Sequence, residues 1–89
     1  MKVELFSFLR QAAGTSEINI QARDVRALLE LLSDVYGEEF KKLILETDVT
    51  LKEGVNVLVN GRNILFLEGL ETVLNPEDTV TLIPPAAGG

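Results

Sequence analysis

Asp24-Val25-Arg26-Ala27-Leu28-Leu29-Glu30-Leu31-Leu32-Ser33-Asp34-Val35-Tyr36-Gly37 is the stretch whose reading decides the fold. Its apolar residues Val25, Leu28, Leu29, Leu32, Val35 and Tyr36 recur at spacings of three and four, which marks one face of a helix. Asp24 is a suitable N-cap, because its carboxylate can accept an orphan amide hydrogen at the helix start. Gly37 is a C-cap candidate at the other end. Much of the chain around this helix alternates with a period of two instead. Residues 2–9 read as a strand, with Val3, Leu5 and Ser7 on one face and Glu4, Phe6 and Phe8 on the other. Residues 11–15 supply a turn, with Gly14 free to take positive φ. Residues 17–21 alternate and form a hairpin with the first strand.

Beyond the helix, residues 38–44 read as a short second helical segment that points Phe40, Leu43 and Ile44 inward. Residues 46–54 are polar and read as a mobile loop. Val55, Val57 and Val59 alternate with Asn56, Leu58 and Asn60, which gives a third strand. Asn60-Gly61 is a strong type I′ hairpin signal, and residues 63–66 read as the short returning strand. Residues 67–74 are irregular, with one helical turn. Asn75-Pro76-Glu77-Asp78 suits a type I turn. Thr79 to Ile83 form the last strand, which Pro84-Pro85 end because neither residue can donate to a ladder.

The order strand, strand, helix, strand, strand, strand predicts an α+β domain. It fits the β-grasp, or ubiquitin-like, arrangement: a mixed four- to five-stranded sheet with one main helix on one face and the first and last strands side by side. The domain organisation expected is a β-grasp domain over residues 1–83 and a flexible tail over residues 84–89.

The 89 residues contain no cysteine and no histidine. Disulfides, thiol catalysis, most zinc sites and histidine general-base chemistry are therefore excluded. The formal charge of −6 disfavours a phosphate-backbone partner and favours a positively charged docking face. No run approaches the length needed to span a bilayer, and the first residues lack a signal-peptide pattern. A cytoplasmic location, with neither nucleic acid nor membrane as partner, is the expectation.

If Val3, Leu5, Val57, Val80 and Leu82 face the helix, the period of two turns Phe6, Phe8, Leu58 and Ile83 to the opposite face. An apolar patch there, beside the tail, points to a partner surface. The tail itself is Pro84-Pro85-Ala86-Ala87-Gly88-Gly89. The prolines are expected to hold it extended and away from the sheet. Six residues reach at most about 20 Å. Glycine at the last two positions removes bulk near the terminal carbon. Such a segment can thread a narrow channel and present its carboxylate in a buried site of another protein. The loop at Asn60-Gly61-Arg62-Asn63 reads as a turn and not as a nucleotide cradle.

Residues 6–10 after the first strand, the VLVNG run of residues 57–61, Asp78-Thr79-Val80 and the ending PPAAGG together resemble the MoaD/ThiS family of ubiquitin-like sulfur carriers. The resemblance covers the whole chain and is closest to the small subunit of molybdopterin synthase. Two features depart from it: Glu77 stands where many relatives have glycine, and residues 46–54 are longer than in the shortest members. The resemblance implies that the Gly89 carboxylate is adenylated by an E1-like adenylyltransferase (MoaB/MoeB/ThiF-like) using ATP-Mg. A sulfur donor, often acting through a persulfide, then displaces AMP to leave a thiocarboxylate. The chain binds no cofactor or metal itself and supplies no catalytic group beyond its terminus. The resemblance further implies sulfur donation in molybdenum-cofactor biosynthesis through a MoaE-like large subunit of molybdopterin synthase. The alternatives are a ubiquitin-like modifier joined through Gly89 to lysines, or a carrier for tRNA thiolation, thiamine or cysteine synthesis.

Overall fold

The computed structural model describes residues 1–85. Seven strands and three helices occur among them: β1 (Lys2–Leu5), α1 (Phe8–Ala13), β2 (Glu17–Asn19), α2 (Val25–Tyr36), α3 (Glu38–Ile44), β3 (Leu45–Thr47), β4 (Thr50–Leu51), β5 (Asn56–Val59), β6 (Arg62–Asn63) and β7 (Thr79–Ile83). Two 3₁₀ turns, Ile64–Phe66 and Gly69–Glu71, fill the connection between β6 and β7. Five strands form one mixed sheet in the order β2-β1-β7-β5-β6, and β3 and β4 pair separately. β1 runs parallel to β7 in the register Lys2↔Thr79 to Leu5↔Leu82. β5 runs antiparallel to β7 from Asn56↔Ile83 to Val59↔Val80. This is the expected β-grasp, with first and last strands adjacent.

Helix α2 lies over one face of the sheet. Val25, Leu28, Leu29 and Leu32 meet Val3, Leu5, Val57, Val59, Val80 and Leu82 in one buried core. The Asp24 carboxylate accepts from the Ala27 amide at 2.8 Å, which is the expected N-cap. Gly37 takes φ 94 at the far end. Val35 departs from expectation: it is 56% exposed, so the buried stripe is narrower than the spacing predicts. α3 continues the helical layer and buries Phe40 and Ile44, with the ring of Tyr36 5.1 Å from that of Phe40.

Three local expectations are corrected. The first strand stops at Leu5, because Ser7 takes φ 53 and turns the chain. The next residues coil into α1, which carries Leu9 into the core with no exposed surface and ends at Gly14 with φ 76. Phe8 is therefore the first residue of α1 and not part of the strand. The segment read as a mobile loop holds the β3–β4 hairpin, which Lys41 Nζ ties to α3 through Asp48 Oδ1 at 2.8 Å. That hydrogen bond and charge pairing lower the Asp48 pKa from its ordinary value. The strand expected over residues 63–66 ends at Asn63, whose side chain accepts from the Leu65 amide at 2.9 Å and starts a 3₁₀ turn instead. The Asn60-Gly61 turn has both residues at positive φ, 52 and 84, as a type I′ hairpin requires. Asp78 accepts from the Asn60 side chain at 2.9 Å and from the Asn75 amide at 2.8 Å, which locks this hairpin to the turn before β7.

Replacing Asp24 with alanine removes the N-cap acceptor. The expected cost is about 1 kcal/mol of unfolding free energy, whereas asparagine should cost a few tenths at most. Urea denaturation of the two variants checks this, and equal losses would contradict it.

Candidate functional site

The site begins where β7 ends. β7 lies between β1 and β5, so its direction is fixed by hydrogen-bonded neighbours on both sides. The Phe6 amide extends the parallel ladder by donating to the Leu82 carbonyl at 3.3 Å. The last strand thus delivers the chain at the same end of the sheet as the β1–α1 junction. Two prolines then remove the backbone donors that would continue pairing.

The structure corrects the expectation that both prolines stand clear of the body. Pro84 is buried and Pro85 is half-buried. Continuing the Asn56↔Ile83 register by two steps brings Gly54 opposite Pro85. The contact is close: a methyl group at Gly54 would stand 3.0 Å from both Cβ and Cγ of the Pro85 ring. Ala86, Ala87, Gly88 and Gly89 lie outside the described residues. Covalent geometry limits them to about 14 Å from Pro85.

The face of the sheet away from α2 carries the expected apolar side chains in a looser arrangement. Phe6 stands one step beyond the Leu5↔Leu82 pair and is 41% exposed. Ile83 and Leu58 are half-buried. Asn56 lies directly opposite Ile83 and Thr81 directly opposite Leu58, so Leu58 meets Ile83 only on the diagonal. Thr81 donates its hydroxyl to Glu4 Oε1 at 3.1 Å in the same row. The face is therefore mixed, with Phe6 and Ile83 nearest the tail. Phe8 is also 41% exposed, but it projects from α1. The Arg10 guanidinium lies 5.9 Å from the centre of the Phe6 ring. A cation over an aromatic face is attracted to the ring quadrupole.

Sequence reasoning missed three residues at this end or on the neighbouring edge. Leu65 and Phe66, 77% and 84% exposed, belong to the 3₁₀ turn that follows edge strand β6. Their reading as a strand hid that exposure. Gly54 carried no signal beyond its residue type, because its partner becomes visible only once the β5–β7 register is known.

A groove of about 380 Å³ between α2, α3 and the β3–β4 hairpin is lined by Glu30, Asp34, Glu38 and Asp48, with Lys41 the single base. Lys41 is already held by Asp48. Such a wall repels phosphate. Among the described residues, no cluster of acidic side chains is arranged to hold a metal ion.

A family model described as the ThiS family matches residues 3–89. The chain belongs to this family. A provisionally named sulfur carrier protein of Archaeoglobus fulgidus is 38% identical over 89 residues, covering 100% of this chain and 98% of the relative. The solution structure of small archaeal modifier protein 1 from Methanosarcina acetivorans superposes with a TM-score of 0.86 at 39% identity, over 99% of this chain and 94% of that one. A Pyrococcus furiosus structure, provisionally named as subunit 1 of a molybdopterin converting factor, gives a TM-score of 0.74 at 31% identity, over 96% and 95%. Within the ThiS family this chain is thus similar both to sulfur carriers and to a protein modifier. No helix among its described residues is long and apolar enough to cross a membrane.

Proposed function

We propose that this ThiS-family chain is a sulfur carrier that works through the carboxylate of Gly89. The observation that carries this reading is where β7 ends. The most constrained strand of the sheet leads directly into Pro84-Pro85-Ala86-Ala87-Gly88-Gly89, and the family match runs to the final glycine. A free carboxylate is a poor electrophile, because resonance and negative charge oppose attack. An E1-like partner using ATP-Mg joins it to AMP and releases pyrophosphate. A hydrosulfide-equivalent donor then attacks the acyl carbon and AMP leaves, so that Gly89 becomes a thiocarboxylate. Gly88 and Gly89 place no side chain near the reacting carbon.

The acceptor proposed is a molybdopterin precursor held by a MoaE-like large subunit. The likeness to the Pyrococcus protein supports it. The second reading is conjugation of Gly89 to lysines of other proteins, which the likeness to the Methanosarcina modifier favours. Both begin with the same adenylation and diverge at the acceptor. The partner surface in either case is the end of the sheet around Phe6, Ile83 and Leu58, with Phe8 at its margin. It adjoins the tail, and its exposed apolar atoms gain from being covered.

Removing Gly88 and Gly89 should abolish adenylation, measured as pyrophosphate exchange with the activating enzyme, while the melting curve stays unchanged. Full activity of the shortened chain would refute the proposal. In extracts of the native cell, isopeptide-linked adducts would establish the modifier reading, and a free thiocarboxylate the carrier reading. Phe6→Asp should leave the melting temperature within a few degrees of the parent and raise the KM for the carrier about tenfold or more, as loss of an apolar contact does. An unchanged KM would reject the patch.

A further inference from the structure

Five glycines among the described residues take positive φ: Gly14, Gly37, Gly54, Gly61 and Gly69. At four of them an added methyl group would meet nothing within 4 Å. Gly54 alone differs, because there the methyl would press on the Pro85 ring at 3.0 Å, tighter than an ordinary van der Waals contact. Gly54 sits in a turn whose Val55 amide donates to the Lys52 carbonyl at 3.1 Å, and the Lys52 amide donates to the Ile44 carbonyl at 2.9 Å. Ile44 is fully buried, so the turn is anchored in the core. Pro84 and Pro85 have no amide hydrogen to donate to it, and none of the backbone hydrogen bonds found among the described residues joins the turn to either proline. The seat is a steric one: a ring resting on a bare backbone.

We propose that the Gly54–Pro85 contact is a stop that fixes where the tail leaves the body. Gly54 is then a positioning residue for activation of Gly89. This inference rests on the carrier reading above and assigns its geometry. The reach of the carboxylate is counted from Pro85 over four residues, not from Ile83 over six. That shortens the maximal span from about 20 Å to about 14 Å. A methyl group at Gly54 pushes the Pro85 ring outward by a few tenths of an ångström and so shifts the point from which the tail leaves. The docking face, on the outer side of the sheet, is left as it was. Misplacement of a reacting group by about 1 Å can cost a hundredfold in rate. The effect therefore falls on kcat and not on KM.

The test compares Gly54→Ala with Gly61→Ala. Gly61 has nearly the same backbone angle, φ +84 against +88, but open space around it, and it lies in the β5–β6 turn at the other end of the sheet. Both variants carry the left-handed backbone penalty of an alanine, so both should lose thermal stability. The full-length proteins are assayed with the E1-like enzyme of the same cell and Mg-ATP, read as pyrophosphate exchange. Below the melting transition, Gly54→Ala should lower kcat by about threefold to tenfold, the cost of a shift well under 1 Å, with KM within twofold of the parent. Gly61→Ala should keep both constants. In the free parent protein, nuclear Overhauser contacts between Gly54 Hα and the Pro85 ring protons should be present. Equal kcat values for the two variants, or absence of those contacts, would overturn the stop and leave the carrier reading standing. Failure of the parent chain to be adenylated at all would overturn both.

Discussion

The parallel pairing of β1 with β7 is the constraint on which the rest depends. A strand in the middle of a sheet has its position fixed by two ladders, and β7 is held by β1 on one side and β5 on the other. Val80 and Leu82 fix its rotation, because both are fully buried under α2 and a slip of one residue would turn them to solvent. The last strand therefore cannot shift along its axis without emptying the core. Whatever follows Ile83 starts from a fixed point.

That rigidity matters because the chain brings so little chemistry of its own. It has no cysteine or histidine, and the side groove repels phosphate. On the reading proposed above, the chain contributes a substrate group held at a defined place, and a partner contributes the catalytic apparatus. Catalysis by positioning is sensitive to small displacements. A fold that fixes the exit of its tail by two ladders and a steric seat meets that demand without any reactive side chain. The carrier and modifier readings make the same demand of the fold, since each proposes that the terminus is delivered to a partner.

Much of this was legible in the sequence. The 3.6-residue period of Val25, Leu28, Leu29 and Leu32 and the alternation of Val55, Val57 and Val59 each reflect burial on one side, and burial is written directly into residue type. Asn60-Gly61 was legible because few residue pairs accept two positive φ angles in succession. The failures have a common cause. Leu9 satisfies either a strand or a helix, and a short apolar run cannot distinguish them by periodicity; Ser7 at positive φ decided the matter without a glycine to announce it. The β3–β4 hairpin packs Leu45 and Leu51 on the core and carries the exposed Lys41–Asp48 ion pair at its tip, and a mostly polar stretch announces neither. Phe6, Leu58 and Ile83 were legible as outer-face residues from the period of two, but how they lie against one another depends on cross-strand register. Thr81, and not Ile83, stands opposite Leu58, and Phe8 leaves the strand altogether. The seat of Pro85 on Gly54 likewise exists only once the register is set.

The proposed chemistry comes down to the state of one carbonyl carbon, that of Gly89. An intact-mass spectrum of the protein isolated from its own cell reads that state. It should show a species in which one oxygen of the Gly89 carboxylate has been exchanged for sulfur, lost on mild oxidation or alkylation. A spectrum showing only the plain carboxylate, even after incubation with the activating enzyme, Mg-ATP and a sulfide source, would contradict it.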